Sequence, residues 1–255
     1  MIHLSVNVNK VATLRNSRGG REPSVLEAVD VCVKAGVAGI TVHPRADRRH
    51  VTPQDVYDIA RRLEGRRPAI EYNIEGDPRQ ELLDLVREVV PDQCTLVPVA
   101  PGEITSQAGW TAGPQSEGLA SVVRDLQSRR IRVSLFVDPT PEAVTLAASL
   151  GADRVELYTE PFARAFEHGG DSAQRAFATY VEAADLAHRL GLGINAGHDL
   201  DLDNLVLFRD LPHLQEVSIG HALMARALFH GLDAVVRQYL AVLGGGEAKL
   251  TVDPL

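Results

Sequence analysis

The stretch formed by residues 39–50, GITVHPRADRRH, carries the densest set of side chains that could do chemistry. It begins as an apolar strand, reaches His43 and Arg45, and continues into a charged loop that closes with His50. Histidine exchanges protons near neutral pH, and arginine binds carboxylates and phosphates. The stretch therefore indicates acid/base chemistry on an anionic substrate, if other strands bring polar groups to the same place.

Eight short apolar segments, each followed by a helical pattern, are predicted to be strands. They are residues 2–9, the start of 39–50, 69–74, 94–99, 132–138, 154–159, 193–198 and 216–220. This α/β alternation, with no GxGxxG turn after the first strand, favours a (β/α)8 TIM barrel over an open doubly wound sheet. We expect one barrel domain over residues 1–243 and a flexible tail over 244–255. Thr52-Pro53 is predicted to start a helix. We expect a polar loop after the first strand, a polar segment over residues 160–171 after the sixth, and one final amphipathic helix over about residues 222–243. The longest irregular stretch, residues 100–117, is expected to be functional.

The composition agrees with a single barrel, which takes about 250 residues. The chain has 255 residues and a formal charge of -8, so we expect no nucleic acid partner. No apolar run approaches the roughly 20 residues that cross a membrane, and the start of the chain lacks the pattern of a signal peptide. Cys32 and Cys94 lie in apolar runs and are expected to be buried, reduced thiols. A cytoplasmic protein is predicted.

Barrel enzymes build their sites at the carboxyl ends of the strands, and polar residues recur at the predicted ends. Period-two spacing should turn them into the barrel interior, because helices cover the outer face. Each residue also has a structural interpretation: a strand-end asparagine often binds loop backbone, and Asp138 before Pro139 fits a turn. Glu71 is the strongest acid/base candidate, because a buried carboxylate is costly without a partner or a purpose.

Two glycine–histidine pairs, Gly197-His198 and Gly220-His221, follow the seventh and eighth predicted strands. Barrels often bind phosphate there through backbone N–H groups and a helix N-terminus. Arg18, in the polar segment after the first strand, could bind a second anion. The sequence therefore predicts a phosphorylated substrate.

Four segments, VNVNKVATLRNSRGG, GITVHPRADRRH, INAGHDL and SIGHALMARA, closely resemble pyridoxine 5′-phosphate synthases in this order. The resemblance extends from about residue 4 to residue 243. It implies a (β/α)8 barrel with extra helices and a cytoplasmic homo-octamer. It also implies condensation of 3-amino-2-oxopropyl phosphate with 1-deoxy-D-xylulose 5-phosphate, giving pyridoxine 5′-phosphate, phosphate and water, with no metal and no organic cofactor.

The resemblance also assigns roles to matching positions. It makes His43 and Glu71 general acid/base residues, His198 a proton donor, and Glu156 a residue that stabilises charge in the transition state. The positions that match binding of the amino ketone phosphate are Asn7, Arg18, Gly220 and His221. Those that match binding of the deoxyxylulose phosphate are Arg45, His50 and Thr105.

The chain departs from the family pattern at two places. Asn9 and Lys10 stand where the family commonly has aspartate and histidine, and Asp199 stands where it usually has glycine. We expect Lys10 to contact a substrate phosphate as a point charge. The backbone N–H of Asp199 can still bind phosphate, provided that its carboxylate points away.

Two rival interpretations remain open. In the first, a metal-dependent sugar isomerase or epimerase would use Glu71, Glu156 and His198 as ligands, with Asp138 as a fourth. In the second, the chain is a non-catalytic paralogue that binds phosphosugars, which the Asn9-Lys10 change alone suggests.

Overall fold

The computed structural model describes residues 1–98 and 108–246, in which eight parallel strands close into a barrel in sequence order. The strands are β1 His3–Asn7, β2 Gly39–Val42, β3 Glu71–Gly76, β4 Gln93–Leu96, β5 Arg132–Val137, β6 Arg154–Tyr158, β7 Gly193–Gly197 and β8 Leu214–Ile219. The last strand pairs with the first, so this sheet has no open edge. The predicted (β/α)8 barrel is confirmed.

Helices surround the barrel in the described ranges. They are α1 Asn9–Asn16, α2 Val25–Ala35, α3 Pro53–Leu63, α4 Gln80–Val89, α5 Leu119–Ser128, α6 Pro141–Ser149, α7 Glu160–Glu167, α8 Asp171–Arg189, α9 Leu205–Phe208, α10 His221–His230 and α11 Leu232–Leu243. None of those described is long and apolar enough to span a membrane.

The start of α3 shows how local sequence sets these elements. Thr52 Oγ1 accepts a hydrogen bond from the N–H of Asp55 at 3.3 Å, and Asp55 Oδ2 accepts one from the N–H of Thr52 at 2.7 Å. This capping box satisfies two backbone donors, and Pro53 lacks the N–H that its position would leave unpaired. The helix therefore begins where the sequence predicts.

The outer face of the strands forms the apolar core, whereas the inner face is polar. Ile40 and Val42 are fully buried in the core cluster between sheet and helices. Inside, Thr41 Oγ1 lies 2.7 Å from Ser5 Oγ, and Asn73 bonds to Thr41 at 3.4 Å. The predicted polar interior is confirmed, because alternating side chains send each strand's polar set inward.

Four local predictions need correction. The third strand was expected over residues 69–74 but runs from Glu71 to Gly76. The segments after β1 and β6, expected to be irregular, form α1 and α7. The long final helix is divided in two at Gly231, whose φ is 78°.

Two segments that were predicted to lack regular structure, the loop over residues 100–117 and the tail over residues 244–255, are only partly described. Residues 99–107, which end the predicted fourth strand and begin the predicted functional loop, and residues 247–255, most of the predicted tail, lie outside the described residues. Within the described part, Arg209 Nη1 donates to the carbonyl of Gly246 at 2.8 Å. Cys32 and Cys94 are buried free thiols, as predicted.

Candidate active site

A cavity of about 290 Å³ opens at the carboxyl ends of the strands. It gathers most of the predicted site residues, namely Asn7, Asn9, Lys10, His43, Arg45, His50, Glu156, His198, Asp199, Gly220 and His221. Loops and strand ends from five parts of the chain therefore meet as the barrel topology requires. Leu200, Ser218, Ile219 and Ala222 complete the wall together with Glu75.

Two histidines of the cavity, His43 and His198, are held in the neutral form. Burial lowers the pKa of His43 well below its ordinary value, and the nearby Arg45, His50 and His198 lower it further. Burial likewise lowers the pKa of His198 to about 4. Both are therefore neutral imidazoles at pH 7, able to accept a proton before they donate one.

The pKa values of Glu75 and Glu156, two of the three carboxyl groups that line the cavity, are shifted in the opposite direction. Burial raises the pKa of Glu75 to about 8, although a hydrogen bond from Ser218 opposes this. Burial also raises the pKa of Glu156 well above its ordinary value, and the charge of Glu75 raises it further. Close carboxyls in a dry site share protons, so this pair holds protons at neutral pH that it can give up.

Several buried polar atoms of the cavity have no partner among the residues that the structure describes. These are His43 Nε2, His198 Nδ1 and Glu156 Oε2, and also His50 Nδ1 near the cavity mouth. A buried polar atom without a partner is costly and uncommon. Its occurrence at four cavity residues indicates a surface prepared for a polar ligand.

Glu71, the predicted acid/base residue, does not lie in the cavity. It is the first residue of β3, at the amino end of the barrel, where it forms an ion pair with Arg132. The prediction was wrong because the strand begins two residues later than expected. Glu75, four residues further along the same strand face, occupies the position at the cavity.

Arg18 is also outside the cavity, in contrast to its predicted contact with substrate. The segment after β1 forms α1, whose eight residues span about 12 Å, and Arg18 follows at its far end. Its side chain is exposed there. Thr105, the other predicted contact that the cavity does not contain, lies outside the described residues.

Asn9 links the ends of β1 and β2 directly below the cavity mouth. Its Oδ1 accepts from the backbone N–H of His43 at 3.0 Å, and its own N–H donates to Asn7 Oδ1 at 3.0 Å. An amide serves here as well as a carboxylate, because only an acceptor oxygen is needed for the bond to His43. The departure from the family pattern therefore leaves His43 held in place.

Positive charge gathers at one side of the cavity. Burial lowers the pKa of His50 to about 4, and the charges of Lys10 and Arg45 contribute to this shift. Lys10 lies in the first turn of α1, and Arg45 is 8% exposed. This cluster can hold an anionic group through the charges of Lys10 and Arg45, with the neutral His50 as a hydrogen-bond partner.

The opposite side of the cavity is made of backbone. Gly197 ends β7, and a Cβ there would lie 2.3 Å from Glu156 Oε1, so only glycine fits beside the carboxyl. Next to it, at the end of the neighbouring strand β8, Gly220 precedes the first turn of α10, whose N–H groups and partial positive charge favour an anion. The cavity thus offers basic side chains in one part of its wall and the N–H groups of a helix N-terminus in another.

The sequence prediction missed three positions at or next to the cavity. Glu75 and Ser218 line the cavity, and Ser218 Oγ donates to Glu75 Oε1 at 3.4 Å. Arg79 Nη2 donates to the carbonyl of Pro44 at 2.5 Å and so supports the loop between His43 and Arg45. Glu75 could have been found, because Glu71, Asn73 and Glu75 continue the inward period-two pattern.

The ligand set of the rival metal enzyme is not assembled. Glu71 lies at the opposite end of the barrel from Glu156 and His198. Across residues 1–98 and 108–246, no group of three or more His, Cys, Asp or Glu side chains is arranged to hold a metal ion.

Together, fold and cavity define the class of this protein: a (β/α)8-barrel enzyme whose cavity combines buried titratable groups with basic side chains and a helix N-terminus. Residues 4–245 match the family model described as pyridoxal phosphate biosynthesis protein PdxJ. The chain belongs to this family.

Curated relatives align with nearly the whole chain at about half identity. A pyridoxine 5′-phosphate synthase from Leptospira biflexa serovar Patoc is 49% identical over 257 residues, covering 97% of this chain and 99% of that protein. One from Porphyromonas gingivalis is 50% identical over 240 residues, covering 94% of this chain and 98% of that protein.

Solved structures support the fold alone. Phosphoribosyl anthranilate isomerase from Thermotoga maritima superposes with a TM-score of 0.62 at 14% identity, covering 96% of this chain and 100% of that chain. At this identity the likeness concerns the barrel and carries nothing about the reaction.

Proposed function

We propose that this chain is a pyridoxine 5′-phosphate synthase, which condenses 3-amino-2-oxopropyl phosphate with 1-deoxy-D-xylulose 5-phosphate. The observation that carries the proposal is one cavity in which His43, Glu75, Glu156 and His198 are buried together with shifted pKa values. Condensation, ring closure and dehydration each move protons, and perturbed titratable groups supply them.

The two sides of the cavity suggest how the two phosphates are separated. The basic side, with Lys10, Arg45 and His50, would bind the phosphate of the deoxyxylulose substrate. The backbone side, with Gly220 and His221 at the start of α10, would bind that of the amino ketone. The reacting carbon and nitrogen atoms then meet between them, against the carboxyls and imidazoles.

Each titratable group has a role that its protonation state permits. The neutral His43 can accept a proton when the amine attacks the ketone. Glu75 and Glu156, which hold protons at neutral pH, can donate to the departing oxygen atoms as imine formation and dehydration release water. His198 can accept a proton and return it, because it starts neutral. We assign to Glu75 the acid/base role that the sequence resemblance gave to Glu71.

The decisive experiment incubates the purified chain with both substrates and follows pyridoxine 5′-phosphate by its absorbance and phosphate by a coupled assay. We expect both products in equal amounts, and neither when one substrate is omitted. Well-folded protein that binds the substrates but yields no product would instead favour the non-catalytic paralogue.

A parallel reaction in the presence of a strong chelator separates the proposal from the metal-dependent rival. Full activity is expected, because the proposed proton transfers use only side chains of the chain. Loss of activity that returns on addition of a divalent metal ion would contradict the absence of a cofactor.

We also propose the cytoplasmic homo-octamer that the sequence resemblance implies. The free buried thiols suit a reducing compartment, and Leu228 and Phe229, 70% and 85% exposed at the end of α10, offer apolar surface for a second copy. Light scattering after gel filtration should give about eight times 27.6 kDa. A monomer at micromolar concentration would contradict this part of the proposal.

A further inference from the structure

The loop that follows β7 holds two consecutive residues in the left-handed region of the backbone. His198 has a φ of 76° and Asp199 a φ of 53°, although neither is a glycine. Side chains with a Cβ rarely adopt this conformation, and it persists only where the surroundings enforce it. Both residues line the cavity, so the enforced conformation lies at the site itself.

Two side chains from outside the cavity enforce this left-handed conformation by binding three consecutive carbonyl groups of the loop. Thr159 Oγ1 donates to the carbonyl of Gly197 at 2.7 Å and also reaches the carbonyl of His198. Asn204 Nδ2 donates to the carbonyl of Asp199 at 2.9 Å. Thr159 is fully buried and Asn204 is 2% exposed, so water does not replace either bond.

The two anchors are themselves fixed. The N–H of Thr159 donates to the carbonyl of Gly197 at 3.2 Å, which ties the end of β6 to the end of β7. Asn204 Oδ1 accepts from the N–H of Asp201 at 3.0 Å, and Asp201 Oδ1 accepts from the N–H of Asn204 at 2.8 Å. The loop is therefore held from a rigid strand end on one side and a closed turn on the other.

With the carbonyls bound on the protein side, the N–H groups of the loop are left for the cavity. Within the described ranges, the N–H groups of His198, Asp199 and Leu200 donate to no acceptor of the protein. Successive backbone N–H groups without partners form a concavity that binds anions. The first turn of α10 faces the same cavity from β8 and adds its own N–H groups.

We propose that Thr159 and Asn204 are positioning residues, which hold the three carbonyls so that the N–H groups of the His198–Leu200 loop bind the amino ketone phosphate. This inference rests on the proposed function, since it takes its substrate from there. The hydroxyl of Thr159 and the amide of Asn204 do not touch substrate. They act through the backbone of the loop.

The test measures phosphate binding and turnover separately in the full-length protein. Inorganic phosphate is titrated calorimetrically into wild type, Thr159→Val and Thr159→Ser, and KM is measured for each substrate. Thr159→Val removes the donor at constant volume and should raise the phosphate Kd and the amino ketone KM about tenfold. The KM for deoxyxylulose phosphate should stay within about twofold, and Thr159→Ser, which keeps the hydroxyl, should resemble wild type.

Asn204→Asp is a second variant, which tests the proposal even if Thr159→Val does not fold. Aspartate keeps the acceptor for the N–H of Asp201 but cannot donate to the carbonyl of Asp199, so the same rise in Kd and KM is expected. Asp203→Asn, an exposed neighbour, is the matched control and should leave both constants unchanged.

A lower melting temperature with unchanged Kd and KM in the folded variants would show a purely structural role and overturn the proposal. Failure of wild type to bind inorganic phosphate at all would also overturn it. Wild type that binds phosphate but makes no pyridoxine phosphate would refute the proposed function alone. In that case the Kd comparison still decides whether Thr159 and Asn204 shape the loop.

Discussion

Glu71 and Glu75 are the same residue type on the same face of β3, four residues apart, yet their surroundings differ completely. Glu71 lies at the amino end of the barrel and forms an ion pair with Arg132, which also bonds to Gln93 Oε1 at 2.9 Å. Glu75 lies at the carboxyl end, where its hydrogen-bond partners among the described residues are neutral donors, Asn7 at 3.5 Å and Ser218 at 3.4 Å. The position of each glutamate along the strand, rather than its residue type, therefore decides whether it has a structural or a chemical role.

The same division extends around the barrel interior. Towards the amino end, Arg154 Nη1 donates to Asn195 Oδ1 at 2.7 Å, and Asn195 Nδ2 donates to Glu216 Oε1 at 3.3 Å. These three groups therefore bond to one another within the protein, although Glu71 Oε1 and Gln93 Nε2 at this end also lack a partner among the described residues. Towards the carboxyl end, His43, Glu156 and His198 keep polar atoms without a partner among the described residues. An enzyme that needs reactive groups in a stable fold can assign the two tasks to opposite ends of one barrel.

The largest effect should come from Glu75→Gln. The amide keeps acceptor capacity towards Asn7 and Ser218 but cannot exchange a proton, so kcat should fall about 10³-fold. Melting temperature should change little. Steady-state kinetics with both substrates, alongside thermal unfolding, measures this. A variant with kcat close to wild type would show that Glu75 is not an acid/base residue.

Glu71→Gln should show the reverse behaviour. Loss of the carboxylate leaves Arg132 with Gln93 as its side-chain partner among the described residues and should lower the free energy of unfolding by about 1–2 kcal/mol. Its kcat should remain within about twofold of wild type, since Glu71 does not line the cavity. Urea unfolding and the same kinetic assay test both statements. Abolished turnover in folded protein would restore Glu71 as a catalytic residue.

The raised pKa of Glu216 can be tested by the pH dependence of the free energy of unfolding. Burial raises its pKa to about 8, and the charge of Glu71 adds to the rise, so the folded state keeps a proton that the unfolded chain releases near pH 4.5. The contribution of this group to stability is therefore present at low pH and is lost as pH rises from about 4.5 to about 8. The loss amounts to about 1.4 kcal/mol per pH unit for a full proton.

Glu216→Gln should remove this slope, because the amide does not titrate. The free energy of unfolding of the variant should fall less than that of wild type between pH 5.5 and 8. Urea unfolding at fixed protein concentration measures it, with the exposed Glu117→Gln as control. Parallel pH profiles for wild type and Glu216→Gln would contradict the shifted pKa.

The smallest effect concerns the cavity rim. Lys10→Ala removes one cation from the basic side and should raise the KM for deoxyxylulose phosphate about fivefold, more than it lowers kcat. Lys34→Ala, on the exposed face of α2, is the matched control. An unchanged KM would make Lys10 a bystander of the reaction.

Period-two alternation and the strand-end rule were enough to predict the barrel, its polar interior and the placement of His43, Glu156 and His198 in one cavity. The bounds of β3 were not predictable in the same way. Ala69 and Ile70 read as strand residues after Pro68, but the N–H of Ile70 donates to the carbonyl of Arg66 at 3.0 Å in a turn. The strand therefore begins at Glu71 rather than Ala69, and Glu75 rather than Glu71 lies at the cavity.

Helix α1 was missed for a different reason. Its sequence, NKVATLRN, has no side-chain cap and little apolar pattern, so local propensity gives no signal. A distant contact holds it instead: Arg15 binds both carboxylate oxygens of Asp55, at 2.5 and 2.8 Å. Tertiary ion pairs of this kind cannot be recognised from local sequence. The position of Arg18, which follows α1, could therefore not be predicted either.

The contrast between the two ends of β3 is tested most directly by the titration of Glu75 itself. Carboxyl resonances of the folded protein, labelled with ¹³C at glutamate Cδ, can be followed from pH 4 to 9 and assigned with Glu75→Gln. The structure predicts that the resonance lost in this variant titrates with an apparent pKa of about 8, because burial disfavours its charged form. Titration at the ordinary glutamate value near 4.5 would contradict the account.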